Sequence, residues 1–187
     1  NYIKRAVQKG FLSGVAGCVE HPFALYEGLR DAFENTRSIC TTWIDLANAF
    51  GSVRHNLIQF ALDWYHVPKF IQGLIMTYYD LLCAKIVTKD WATMFFHFDI
   101  GCFQGCVLSA ILFDCVFNLL LDYLLPLEKL GYLIKATTIK ISAKAYADDL
   151  NLTTDTSKNN QKVLNRTDEW LEWTKTMKAK PTKCISL

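Results

Sequence analysis

Paired cysteines and paired histidines are what this sequence most plainly lacks. Its seven cysteines (Cys18, Cys40, Cys83, Cys102, Cys106, Cys115 and Cys184) are an odd number, and none stands in a Cys-x-x-Cys pair. His21, His55, His66 and His97 are scattered without ligand spacing. These absences argue against a disulfide framework and against a zinc centre, and they fit free thiols in a reducing cytosol or nucleus. Proline is scarce, at four in 187 residues, and there is neither a low-complexity tract nor an internal repeat. A chain of this length and apolar content is compatible with one domain built on a real core. Net charge is nearly absent too: the formal value is +2, too little by itself to argue a nucleic-acid partner. Its distribution says more, because from Lys158 onward seven Lys or Arg face three acids.

No signal peptide opens the chain, and its first residue is Asn, so an excerpt of a longer polypeptide is expected. The one long apolar run, Val107 to Leu125, approaches membrane-spanning length. Asp114, Asn118 and Asp122 interrupt it every four residues, which predicts one polar stripe on a half-buried helix and no membrane association.

The remaining chain divides by its hydrophobic period. A loop-rich opening punctuated by Gly10, Gly14 and Gly17 leads to helical spacing over Phe23–Phe33. A β-branched and aromatic run from Cys40 predicts a strand ending at Asp45. Helices are expected from His55 to Tyr65 and, after the break at Pro68, from Phe70 to Leu82. A hairpin is expected within Lys85–Ile100, the long helix after Gly105, and a last amphipathic helix over Asn160–Met177 with Leu164, Trp170, Leu171 and Trp173 for packing. This order predicts an α+β domain with helices against an antiparallel sheet.

The chemistry concentrates in Tyr146-Ala147-Asp148-Asp149. It lies between an alternating segment, Ile139 to Ala145, and a second short one, Leu150 to Thr154, so a hairpin carrying its acids at the turn is expected. Asp is a favoured turn residue, and the pair alone says little. A further carboxylate, Asp45, ends the upstream strand, where sheet residues can project into a site. Adjacent carboxylates beside apolar strands are costly without a cation, which suggests a divalent metal. Between these acids, Gly101 to Ser109 forms a glycine-flanked loop opening a helix, with unpaired N–H donors at its start.

In this order, Asp45-x-x-x-Ala49-Phe50, then Gln104-Gly105-x-x-x-Ser109, then Tyr146-Ala147-Asp148-Asp149 resemble the palm of a reverse transcriptase. Gln8-Lys9-Gly10-Phe11-Leu12 and Ala47 to His55 are most similar to enzymes of the non-LTR retrotransposon type, and the similarity runs from about Gln8 to Lys183. The resemblance implies a right-hand palm with part of the fingers over residues 1–187, the basic fingers strands lying before Asn1 and the thumb after Leu187. It also implies RNA-directed DNA synthesis with two Mg2+ ions, for which Mn2+ is a substitute, an RNA template, a DNA primer and dNTPs. The remainder of a retrotransposon polyprotein is the expected partner.

Residue by residue, the resemblance implies Asp45 and Asp148 as metal ligands, Asp149 as a partial ligand or a carboxylate one step behind the metal, and the Leu46 carbonyl as a further oxygen. Phe50 stands where the family carries its steric gate against a 2′-hydroxyl, with core packing as the alternative. Gln104 and Gly105 match the loop beside the incoming nucleotide, although Phe103 replaces the usual proline. Tyr146 is expected near the primer end. Ser109 is a candidate primer or template contact, with a simple helix-turn hydroxyl as the alternative. Lys183, with Lys180 second, matches the lysine that protonates departing pyrophosphate. An RNA-copying relative that makes RNA, usually with Gly-Asp-Asp, and a decayed or fragmentary domain that only binds nucleic acid remain competing readings, and a plain helical interaction module would explain the apolar helices but leave the three acids unaccounted for.

Overall fold

Two stretches of period-two alternation, around residues 40–44 and 149–154, set the frame. In the computed structural model, which describes residues 7–11, 14–15 and 19–187, these become β1 (Cys40–Ile44) and β7 (Asp149–Thr154). Leu12, Gly17 and Cys18, named above, lie outside the described residues. The two strands pair antiparallel from Cys40↔Thr154 to Ile44↔Leu150. On the far side of β7 lies β6 (Ala143–Tyr146), and on the far side of β1 a short β8 (Ile185–Ser186), giving the sheet order β6-β7-β1-β8. Ile44, Ala145, Leu150 and Leu152 are buried on one face. There they join the core supplied by α2 (His55–Trp64), α4 (Val107–Leu124) and α5 (Ser157–Thr174). Burying such side chains contributes about 1.5–3 kcal/mol each, which is what seats the helices on this face.

Polar groups fix the register where apolar contacts would let it slide. Thr42 donates from Oγ1 to Asn160 Oδ1 at 2.8 Å, and Asn160 in turn donates to the Leu152 carbonyl at 3.3 Å, tying α5 across β1 and β7. Thr156 caps α5 by accepting the Asn159 N–H.

The helices begin and end close to where spacing and proline predict them: α1 covers Glu20–Glu34 and α3 covers Lys69–Leu81. The apolar pattern of α3 is mostly left on the surface, however, with only Gln72 and Tyr79 buried. The expected hairpin shrinks to β2 (Cys83–Ala84) against β3 (Phe96–His97) and one bridge, Val87↔Ala92. Trp91, Met94 and Phe95 stand exposed there. An isolated pair of strands with no facing layer has nothing to extend its ladder. The alternating segment Ile139–Ala145, expected as one arm of the hairpin, is split at Ser142 into β5 (Lys140–Ile141) and β6; β5 pairs with β4 (Tyr132–Leu133), and neither β4 nor β8 was anticipated by the pattern.

The polar stripe of α4 is corrected outright. Asp114 and Asn118 are 5% and 1% exposed, while the exposed side chains near the helix start are Val107 and Ile111. From Leu112 to Leu121 every residue is buried, because α4 runs through the middle of the core. Among the described residues, 107–130 is the one helical stretch long and apolar enough to cross a bilayer, and 67% of its most apolar window is buried inside this fold.

Candidate active site

Strand register brings the separated acids together. Ile44 faces Leu150, so Asp45, the next residue, comes level with Asp149 at the start of β7. The carboxyl-terminal segment then folds over this end of the sheet. The Ala47 N–H donates to the Lys178 carbonyl and the Lys180 N–H to the Asp45 carbonyl, each at 2.8 Å, and Leu46 bridges Ala179. This pairing places the 3-10 turn Pro181–Lys183 so that Lys183 Nζ lies 3.4 Å from Asp45 Oδ2. Trp43, Asp45, Asp149, Leu150, Thr182 and Lys183 line an open groove of about 570 Å³.

Asp148 and Asp149 come from the β6–β7 hairpin, where Tyr146 pairs with Asp149 and Ala147-Asp148 form the two-residue turn. Ala147 alone of these has positive φ, at 53°. The Asp149 carboxyl is held above its ordinary value, first by burial and then by the charges of Asp148 and Asp45, with Lys183 opposing. Asp149 therefore senses both other acids. Tyr146 faces a second groove beside α1, shared with Trp43, Lys144 and Asn151.

The loop before α4 is exposed at Gln104 and Gly105, and Gly105 takes φ 88°, a conformation that a Cβ would strain. Phe103, the departure from proline, is held by its ring: it meets Phe98 edge-to-face at 4.7 Å and Tyr79 at 6.2 Å. Phe50 begins a 3-10 turn after Asp45, stacks on Phe113 at 4.4 Å and meets Phe11 in a T-shaped contact at 5.9 Å. It is half-buried, so one side packs on the core and part of the ring stays open. Ser109 is withdrawn from any primer or template contact: it is fully buried, and its hydroxyl pairs with Tyr79 at 3.1 Å, bracing α3 on α4.

Among the described residues no three His, Cys, Asp or Glu side chains cage an ion by themselves. A magnesium ion does not require such a cage, since it keeps waters and takes substrate phosphates with only one or two carboxylates. The Lys183 ammonium, a cation already drawn to Asp45, marks where positive charge is favoured. Asp45, Asp148 and Asp149 thus fit a divalent cation shared with a phosphate ligand.

A family model described as reverse transcriptase (RNA-dependent DNA polymerase) matches residues 5–187. The chain belongs to the reverse transcriptase family. This reverse transcriptase domain is 31% identical over 164 residues to the retrovirus-related Pol polyprotein from type-2 retrotransposable element R2DM of Drosophila melanogaster. That match covers 88% of the chain and 15% of the polyprotein. It is 29% identical over 171 residues to the Pol polyprotein from type-1 retrotransposable element R2 of Nasonia vitripennis, covering 91% of the chain and 16% of that protein. The domain therefore spans about one-sixth or less of the polyproteins it matches. Its fold is similar to apo telomerase from Candida tropicalis truncated from its C-terminal domain. There the TM-score is 0.69 at 12% identity, over 97% of this chain and 36% of that one. It is also similar to telomerase from Candida albicans, with a TM-score of 0.69 at 10% identity, over 92% of this chain and 30% of that one. The α+β reading as a right-hand polymerase palm is borne out by this likeness. Members of the family use divalent metal ions.

Sequence reasoning overlooked Gln8 as a member of this site. Its side chain is 1% exposed and bonds to Ala147 in the acidic turn. The only signal was its place in the Gln8–Leu12 phrase, since the pairing spans 139 positions.

Proposed function

We propose that this domain is the palm, with part of the fingers, of an RNA-directed DNA polymerase serving retrotransposon replication. The observation that carries the reading is the convergence of Asp45, Asp149 and Lys183 on one groove at the end of the sheet, with Asp148 in the adjoining turn. An RNA template, a DNA primer and dNTPs are the proposed substrates, and two Mg2+ ions, with Mn2+ as a substitute, the proposed cofactors. When bound, such ions lower the pKa of the primer 3′-hydroxyl and steady charge on the attacked phosphate and the leaving pyrophosphate.

The chain's own residues do the rest. Asp45, just past β1, and Asp148, in the β6–β7 turn, would hold the ions, Asp149 would add negative charge behind them, and the Leu46 carbonyl would be a further oxygen at the same end of β1. Lys183, paired with Asp45, balances the acids before substrate arrives and is the proposed donor of a proton to the departing pyrophosphate. The open part of Phe50 limits space beside the sugar, and Gln104 and Gly105 offer base-neutral contacts at the α4 entrance. Tyr146 lies at the primer side of the turn.

The test is primer extension by the complete parent polypeptide carrying Asp45→Asn or Asp148→Asn. Each is expected to lower DNA synthesis by several orders of magnitude, because no other ligand replaces the lost carboxylate. Template affinity, governed by phosphate contacts elsewhere, should stay near its starting value. Near-normal extension by either variant refutes the metal assignment.

A further inference from the structure

The turn that carries the acids is held in a conformation its own residues disfavour. Ala147 sits at φ 53°, where a Cβ crowds the neighbouring carbonyl, and there is no glycine at that position to relieve it. What meets its peptide groups is one buried side chain. The Ala147 N–H donates to Gln8 Oε1 at 2.9 Å, and Gln8 Nε2 donates to the Ala147 carbonyl at 3.0 Å. The same Oε1 accepts the Gly10 N–H at 2.8 Å. A primary amide offers an acceptor and a donor side by side, whereas a carboxylate would lose the donor and an alkyl group both.

The segment bearing Gln8 is itself anchored. The Ala145 N–H donates to the Val7 carbonyl at 2.8 Å and the Lys9 N–H to the Ala145 carbonyl at 3.0 Å, so residues 7–9 run alongside β6. From α1, His21 Nε2 reaches the carbonyls of Val7 and Ala145 at 2.9 and 3.0 Å. Gly10 completes the fit: a Cβ there would stand 2.2 Å from the Ala147 nitrogen, so only glycine lets the two backbones lie this close.

We propose that Gln8 is a positioning residue for the acidic turn: its side-chain amide clamps both peptide groups of Ala147 and so fixes where the Asp148 and Asp149 carboxylates point. The clamp stands on its own geometry, and its catalytic consequence rests on the polymerase reading above. A carboxylate turned away from shared metal and phosphate costs rate, because the reacting geometry tolerates little displacement.

The experiment uses the parent polypeptide with Gln8→Ala, alone and combined with Ala147→Gly. The first readout needs no substrate: hydrogen exchange of the β6–β7 turn is expected to quicken about tenfold or more in Gln8→Ala, as the two buried hydrogen bonds to Ala147 are lost. Exchange in β1 should stay unchanged. The second is single-turnover primer extension, expected to slow by about tenfold or more, with a higher Mg2+ concentration for half-maximal rate and little change in dNTP affinity. Adding Ala147→Gly, which removes the conflict at φ 53°, should recover about threefold or more of that rate. Unchanged exchange at the turn in Gln8→Ala overturns the proposal whatever the polymerase activity. Loss of β1 protection, or a rate that Ala147→Gly fails to raise, gives Gln8 a general folding role and overturns it as well. A parent with no magnesium-dependent synthesis removes the polymerase reading, and the exchange result then decides the clamp.

Discussion

Asp114→Asn should make this domain more stable at neutral pH, although it removes a charge from a polar position. Asp114 lies in α4 at 5% exposure, and its Oδ1 meets no hydrogen-bond partner among the described residues. Burial pushes its carboxyl up to about 7 from an ordinary 3.8. The sign follows from proton counting. In the unfolded chain this acid ionises near pH 4, while in the folded domain it keeps its proton to about pH 7, so the folded state binds more protons between those values. Stability therefore falls as pH rises through that window and levels off above it. A displacement of about three pKa units corresponds to at most ~4 kcal/mol, and local relaxation should reduce the measured loss to about 2–3 kcal/mol. Asn has nearly the same shape and no charge at any pH, so the variant escapes this loss. Urea unfolding of both proteins, followed by fluorescence of the five tryptophans, should give equal stabilities within ~1 kcal/mol near pH 4 and an advantage of ~2 kcal/mol or more for the variant near pH 8. A difference that does not change with pH would refute the reasoning, because only ionisation of Asp114 distinguishes the two proteins.

Phe50→Ala should raise ribonucleotide relative to deoxynucleotide incorporation by roughly tenfold or more, the relief of ~1–3 kcal/mol of steric exclusion. Competing dGTP and GTP on one primer and template cancel the packing lost from Phe113, and an unchanged ratio returns Phe50 to the core. Lys183→Ala should slow the parent enzyme by about 100-fold or more at saturating dNTP, in line with loss of a positioned proton donor. A rate within a few-fold of the starting enzyme would leave Lys183 as a surface ion pair. Association of the parent polypeptide with an RNA–DNA hybrid, without metal, should weaken steeply as salt rises and depend little on sequence. A salt-independent affinity, read by filter binding, argues for a protein partner instead.

What could be read from the chain, and what could not, divides by the distance over which a residue is satisfied. The strand before Asp45 and the acidic hairpin were legible because alternation and turn chemistry are local, and the register Ile44↔Leu150 then follows from burying one face of each strand. Helix ends at Pro68 and Gly105 were legible for the same reason. The roles of Asp114, Ser109 and Gln8 were not, because each is defined by what stands opposite. A four-residue polar spacing reads identically whether the stripe meets water or, as in α4, the core. Ser109 carries the same hydroxyl whether it faces a ligand or Tyr79. Gln8 reveals itself only through Ala147, on a turn 139 positions away. The site follows this division: its carboxylates and Lys183 were visible as motifs, whereas Gln8, the amide proposed to aim the carboxylates, reaches the turn from 139 positions away. Acidic motifs are conspicuous in a sequence because a carboxylate has no chemical substitute, while a residue such as Gln8 is a buried polar group satisfied by a distant backbone, which only the fold brings to it.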